Sequence, residues 1–261
     1  MHYFLPALTR LALPVCCAGC GAWDTLLCAA CREALCGPLR MVPEAGEAVW
    51  AGADYAGVVR HLVLAWKNGA REDLAAVFAA QGHALGAQWW KVAGCAAAGR
   101  EVTASQAARG QETTARPARS GPLLVVPAPS GLRRRLRGQL VTAPLADAVA
   151  AGVAQVAGSS LEVWSADLLR RRFGTAHQAG LGAAQRAHNR SQPPWVLAEV
   201  AGLQVLLVDD VVTTGATLAA CRRALAEAGA EVLGALAVAA APAPGGPVRC
   251  GRRPAQSSTS G

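Results

Sequence analysis

The segment VLLVDDVVTTGATL, Val205 to Leu218, decides how the rest of the chain is read. Its apolar lead has the composition of a fully buried strand, and two adjacent carboxylates, Asp209 and Asp210, follow where the chain leaves the sheet. Thr213, Thr214, Gly215, Ala216 and Thr217 then run into a helix expected from about Thr217 to Ala228 and ended by Gly229. Glycine permits the backbone angles of a tight turn, successive N–H groups at a helix start attract an anion, and threonine hydroxyls add donors. A phosphate monoester fits such a turn. The carboxylates would repel that phosphate and instead suit the vicinal hydroxyls of a sugar, which need acceptors. The bland alternative, a strand-to-helix turn with an acidic N-cap region, accounts for one Asp and one Thr but not for the full set.

Outward from this segment the pattern is that of an α/β domain. EVLGALAVAA supplies a further strand after Gly229, LLVVPAP a buried strand stopped by prolines, and Leu140 to Val156 an alanine-rich helix. LEVWSADLL reads as a strand leading into a polar loop, followed by a basic stretch to about residue 192. Upstream, a short strand near Val49 to Tyr55 precedes helical segments through Val58 to Trp66 and Leu74 to Leu85. Strand, helix, strand in this order implies parallel pairing, with ligands beyond the carboxyl ends of the strands. Residues 91–121 lack a hydrophobic period and read as a flexible insertion. Residues 242–261 read as a disordered tail.

The first forty residues differ in texture and hold six of the nine cysteines. Cys17-x2-Cys20-x7-Cys28-x2-Cys31 gives two chelating pairs, and four thiolates suit a tetrahedral Zn²⁺ with no open position, hence a structural or partner-directed role. Disulfides are the rival reading, without a secretion signal to support it, and a redox CxxC lacks the preceding βαβ unit. Cys16 and Cys36 stand close enough in sequence to substitute for a neighbour. The loops between these cysteines are too small for a core of their own, so something else must hold the segment. The apolar start, with Phe4, Leu8 and Leu11 at helical spacing and Pro14 ending it, reads as a short amphipathic helix. A lipoprotein signal is the other reading of that start, but Arg10 interrupts it and no basic leader precedes it.

Composition narrows the classes further. Hydrophobic residues make up 52%, but no run of about 18 apolar residues is free of charge or Pro/Gly punctuation, so no membrane span is expected and a cytoplasmic protein is. Net charge is +8, with arginines gathered at Arg133, Arg134, Arg135 and Arg137 and again at Arg170, Arg171 and Arg172. Such clusters attract phosphate, whether of a small ligand or of a nucleic acid backbone, or are simply solvated.

The signature segment resembles that of type I phosphoribosyltransferases, and the chain from about residue 8 to 240 resembles the ComF family. That resemblance also rests on the two CxxC pairs, on Lys67 in AWKNGARED, on VVPAPSGLRRRLRG and on TAHQAGLGAAQRAHN. It implies a twisted, mostly parallel sheet flanked by helices over residues 45–241, joined to an N-terminal helix and zinc module over residues 1–40. It implies phosphoribosyl diphosphate as ligand, with Mg²⁺, Asp209 and Asp210 on the ribose, and Thr213 to Thr217 on the 5-phosphate. Ala128, Pro129 and Ser130 would form the diphosphate loop. Because Pro127 and Pro129 have no N–H, that loop offers few donors, a deficit that Arg133 and Arg134 could make up. Lys67, Gln178 and Arg186 complete the implied ligand groups, the last two, with Thr175, Leu181 and Asn189, on a segment that reads either as a mobile hood that excludes water or as an exposed polar helix anchored by Leu181. The chain departs from the family pattern at Gln139, Leu140 and Val141, where Phe-Asn-Gln is usual, and in carrying the 91–121 insertion.

Two functions follow from the resemblance. One is transfer of ribose 5-phosphate from phosphoribosyl diphosphate to an acceptor that the sequence does not name. The other is a non-catalytic accessory protein of DNA uptake or nucleic acid metabolism, sensing the same ligand while engaging single-stranded DNA or a partner protein. Seven Trp, two Tyr and three Phe are scattered rather than interleaved with the basic clusters, so strong base stacking is not evident.

Overall fold

The computed structural model describes residues 15–46, 48–69, 71–94, 121–130, 141–172 and 192–242. A seven-residue helix, α1 (Ala29–Leu35), lies in the cysteine-rich segment, and β1 (Arg40–Met41) and a 3₁₀ turn (Pro43–Ala45) lead into β2 (Val49–Asp54). Helices α2 (Gly57–Lys67) and α3 (Ala75–Trp89) follow, the second prolonged by a π-helical turn at Trp90–Gly94. Next come β3 (Leu123–Pro127), α4 (Thr142–Ala157), β4 (Val163–Ser165), and the short pair β5 (Leu169–Arg170) and β6 (Trp195–Val196). The described residues close with β7 (Gln204–Val212), α5 (Ala216–Glu227) and β8 (Glu231–Ala240).

Six strands form one sheet in the order β1-β2-β8-β7-β3-β4, and β5 and β6 pair separately. Every neighbour in the large sheet is parallel except β1 on β2, so the architecture is the mostly parallel, helix-flanked sheet expected from the sequence. Strand β7 is central, and its first five residues are all buried because both faces are covered. On one face Leu206 and Val208 pack with residues of α2, α3 and α4; on the other Val205 and Leu207 pack with Leu218, Cys221 and Leu225 of α5. Gly229 ends α5 in a left-handed conformation (φ 82°), and the Ala230 N–H reaches back to the Leu225 carbonyl at 2.9 Å, the closure of a Schellman motif.

The cysteine segment shares its core with the sheet domain. Cys17, Cys31 and Leu35 belong to the same buried cluster as Val59, Leu62, Val63 and Trp66 of α2. Trp66 stacks flat on Phe78 of α3, with ring centroids 3.9 Å apart. Helices α3 and α4 approach unusually closely through glycines. A Cβ added at Gly86 would stand 2.2 Å from the Val149 carbonyl oxygen, and one at Gly152 would stand 1.9 Å from the His83 carbonyl oxygen. Neither contact can be relieved by a rotamer change, because backbone meets backbone.

Gly152→Ala should therefore cost about 3 kcal/mol through overpacking. The measurement is the urea midpoint at neutral pH, with Gly158→Ser, at a position that has nothing within 4 Å of the added Cβ but a φ of 61°, as a reference for backbone strain alone.

Candidate functional site

The carboxyl ends of β3 and β7 bring most of the expected residues together. Side chains alternate along a strand, so Asp210 falls on the α2 face of β7 and Asp209 on the α5 face. Asp210 is buried and its Oδ2 lies 2.6 Å from Lys67 Nζ, at the last residue of α2. The N–H of Asp210 donates to Asp209 Oδ1 at 2.8 Å. Burial first, and the adjacent Asp210 second, push the Asp209 carboxyl up to about 8, with Lys67 only partly offsetting them. On the α5 side Cys221 is buried, and burial followed by the charge of Asp209 pushes its thiol up to about 12, which keeps it inert.

Beyond the acids, Thr213 and Thr214 are exposed and Gly215 is the N-cap of α5 with φ 70° and ψ −2°, the left-handed geometry anticipated for the turn. Space makes a second demand there: a Cβ on Gly215 would lie 1.9 Å from the carbonyl oxygen of Ala45, in the 3₁₀ turn before β2. Ala216 opens the helix, and the Ala219 N–H closes its first bond on the Gly215 carbonyl at 2.8 Å.

Ala128, Pro129 and Ser130 continue β3 alongside this turn. The only N–H of the Pro127–Pro129 stretch, that of Ala128, is spent on the Val208 carbonyl at 2.7 Å, so the loop is indeed poor in backbone donors. Ser130 Oγ and Thr142 Oγ1 share a hydrogen bond at 3.2 Å. Arg171 Nε donates to the Pro129 carbonyl at 2.9 Å. Nothing in the sequence marks Thr142 or Arg171 as a residue of this loop. Arg171 had a signal in the Arg170–Arg172 cluster, but nothing in the spacing ties it to Pro129; Thr142 had none.

That triplet divides its work. Arg170 bonds the Asp167 carboxylate at 2.8 Å, Arg171 holds the Pro129 loop, and Arg172 lies over the Trp195 ring at 4.0 Å from its centroid. Arg171 and Arg172, with Gln192, Pro129, Thr217 and Cys221, line a cleft between the Ala128–Ser130 loop and α5. Arg133, Arg134, Gln178 and Arg186, with the rest of the basic loop and the hood segment, lie outside the described residues. So do the expected N-terminal helix before residue 15, nearly all of residues 91–121, and all but the first residue of 242–261.

The cysteine pairs converge. The sulfurs of Cys17, Cys20, Cys28 and Cys31 all lie within 4.8 Å of one another, with Cys20 and Cys28 Sγ 3.7 Å apart. A tetrahedral Zn²⁺ with Zn–S bonds of about 2.3 Å needs sulfurs about 3.8 Å apart. Burial pushes the Cys17 thiol up, but N–H groups of Cys20, Cys28 and Gly19 outweigh it and hold the thiol down at about 6. Cys31 is pushed well up, by burial and then by the neighbouring Cys28, Cys20 and Cys17. Four thiols so crowded cannot all ionise without a cation among them, and spacing, donor softness and geometry fit zinc. Cys16 and Cys36 are not part of this group among the described residues.

Two outcomes are expected. Metal analysis of the purified chain should return about one zinc per chain through the four-sulfur site, and Cys31→Ser should lose it together with several degrees of Tm. Asp209 should impose a slope on stability against pH. Its folded value of about 8 lies above the ordinary 3.8, so the unfolded chain gives up that proton first and stability falls as pH rises from about 4 to about 8. Urea midpoints across that window should show the fall in wild type and a flatter profile in Asp209→Asn.

No curated protein matches the sequence. The family model of the phosphoribosyl transferase domain matches residues 144–251, beginning within α4 and taking in β7, the Asp209–Thr217 loop, α5 and β8. The match leaves Lys67, the Ala128–Ser130 loop and the cysteine cluster outside it. A phosphoribosyltransferase-type domain, built on a mostly parallel sheet and preceded by a four-cysteine cluster that could hold zinc, is thus what this chain is similar to.

Proposed function

We propose that the chain is a ComF-type protein that binds phosphoribosyl diphosphate at the carboxyl edge of its sheet and transfers ribose 5-phosphate to an acceptor. The observation that carries this is the meeting, inside the matched domain, of an acidic strand end with a left-handed glycine turn that opens α5. Asp209 and Asp210 accept hydrogen bonds from the ribose hydroxyls. The N–H groups and hydroxyls of Thr213 to Thr217 take the 5-phosphate, which sits at the positive end of the α5 dipole. The Ala128–Ser130 loop faces the diphosphate, with Arg133, Arg134 and the hood residues Gln178 and Arg186 supplying charge-assisted donors.

Lys67 neutralises Asp210 and so lowers the repulsion that an anionic ligand would meet at an acidic strand end. In the transfer, the bond from the anomeric carbon to diphosphate breaks and a bond to the acceptor forms, the acceptor's proton leaving to solvent. The protein's part is to match the charge that develops and to exclude water. Oxygen donors at Asp209 and Asp210 and on the ligand suit Mg²⁺, which when bound neutralises the leaving diphosphate.

A second reading has one observation in its favour. Trp23 is 69% exposed and Leu26 48% exposed, both on the loop between the two cysteine pairs, where a partner or a nucleobase would find them. In that reading the protein is an accessory of DNA uptake and the phosphoribosyl site is a sensor.

Titration calorimetry with phosphoribosyl diphosphate and Mg²⁺ tests the site. Binding should be lost, by about 100-fold or more, when Asp209→Asn and Asp210→Asn are combined in a chain whose circular dichroism is unchanged. Equal affinity in the double variant removes the assignment. Binding of single-stranded DNA that falls steeply with salt and with Trp23→Ala would favour the accessory reading.

A further inference from the structure

We propose that the cysteine knuckle, when it holds its metal, positions Lys67 against Asp210, and that Arg71 is the positioning residue through which it does so. The proposal rests on reading the Asp209–Thr217 loop as the phosphoribosyl site.

Arg71 grips the knuckle on both sides. Its Nη1 donates to the Cys16 carbonyl at 3.0 Å, immediately before the first cysteine pair, and its Nη2 to the Leu26 carbonyl at 2.9 Å, just before the second. The other edge of the guanidinium is locked by Asp73, with Nε to Oδ1 at 2.8 Å and Nη2 to Oδ2 at 2.9 Å. A planar fork so held sets the distance between the two loops that present the thiols. Lysine, a point charge on a flexible stem, would not.

Helix α2 carries the position from the knuckle to the strand end. His61 Nδ1 meets the Gly19 carbonyl at 3.0 Å, and Leu62, Val63 and Trp66 pack in one cluster with Cys17 and Cys31. The turn at Gly19 is itself pressed on the metal site, since a Cβ there would stand 2.7 Å from Cys31 Sγ. Lys67 is the last residue of α2, and the helix stops because Asn68 and Gly69 fold back, with N–H bonds to Leu64 and Trp66 and φ 68° at Gly69. Arg71 and Lys67 thus flank one tight helix end, one fixed on the knuckle and the other on β7.

Without a metal the four sulfurs have no common bond, the loops at Cys16 and Leu26 separate, and Arg71 loses both carbonyl acceptors. The end of α2 is then free to shift and Lys67 leaves Asp210. Because Lys67 offsets the acidic strand end, metal and anionic ligand each favour the same arrangement. They must then raise one another's affinity by one common factor.

The test uses the full chain, metal-loaded and treated with a zinc-selective chelator, in wild type, Arg71→Ala and Arg71→Lys. Stripping should speed amide exchange not only near the cysteines but in α2 and β7, and should weaken calorimetric binding of phosphoribosyl diphosphate with Mg²⁺ at least about fivefold. The same ligand should raise the affinity for zinc by an equal factor. Loaded Arg71→Ala should reproduce the changes in α2 and β7, with Arg71→Lys giving little rescue. If Arg71→Ala does not fold, Asp73→Asn, which unlocks the fork from a partly exposed carboxylate, takes its place. Exchange changes confined to residues 15–36, or ligand affinity unaltered by stripping, overturn the proposal. A loaded wild type that shows the exchange coupling but binds no phosphoribosyl diphosphate upholds the mechanical link and overturns the ligand assignment instead.

Discussion

The carboxyl edge of the sheet answers to one constraint: two consecutive carboxylates lie near the end of a central strand whose first five residues are buried, with both faces covered. Water cannot solvate both acids there, so each needs its own remedy. Asp210 takes the Lys67 ammonium, and Asp209 accepts the N–H of its neighbour and keeps its proton past neutrality. Such an arrangement keeps one acid paired and the other protonated, and groups that bring donors or a cation to Asp209 favour its ionised form. Structural stability alone would be better served by apolar residues, like Val205 to Val208 earlier in β7.

The sequence was most legible where one short stretch carried its own logic. A run of buried apolar residues, an acidic pair and Thr-Thr-Gly specify strand, edge and turn without help from distant residues, and Gly215 adopts the left-handed angle that its position required. The two cysteine pairs were legible for the same reason, since chelate spacing is local. What could not be read is what depends on approach between remote segments. Arg71 lies four residues beyond Lys67 in the same stretch, yet its acceptors are the carbonyls of Cys16 and Leu26, which have no side-chain signature. Thr142 and Arg171 likewise act on backbone oxygens near Pro129. Gly86 and Gly152 carry no signal of their own in the sequence, and only the packing of α3 on α4 explains them.

The cysteine segment shows how a small four-cysteine module is stabilised without a core of its own. Its buried side chains, Cys17, Cys31 and Leu35, are completed by the apolar face of α2, while its loops are tied by His61 and Arg71. The connection onward is equally economical: the 3₁₀ turn at Pro43–Ala45 packs its last carbonyl against Gly215, so the chain leaving the cysteine segment walls the Thr213–Thr217 turn before it enters the sheet. Knuckle and sheet are therefore read better as one packing unit than as beads on a string.

The borders of the sheet have a consequence for how the protein behaves in crowded solution. An uncapped strand offers unsatisfied amides and carbonyls to any other chain, and a long flat one invites stacking into fibrils. Here the outermost members of the large sheet are only two residues long on one side, where the antiparallel β1 is anchored by the Arg40–Asp54 ion pair, and three on the other. Ledges this short provide too few rungs to recruit a neighbour, which lets a chain that is half hydrophobic by composition keep its extended core without becoming a template for aggregation.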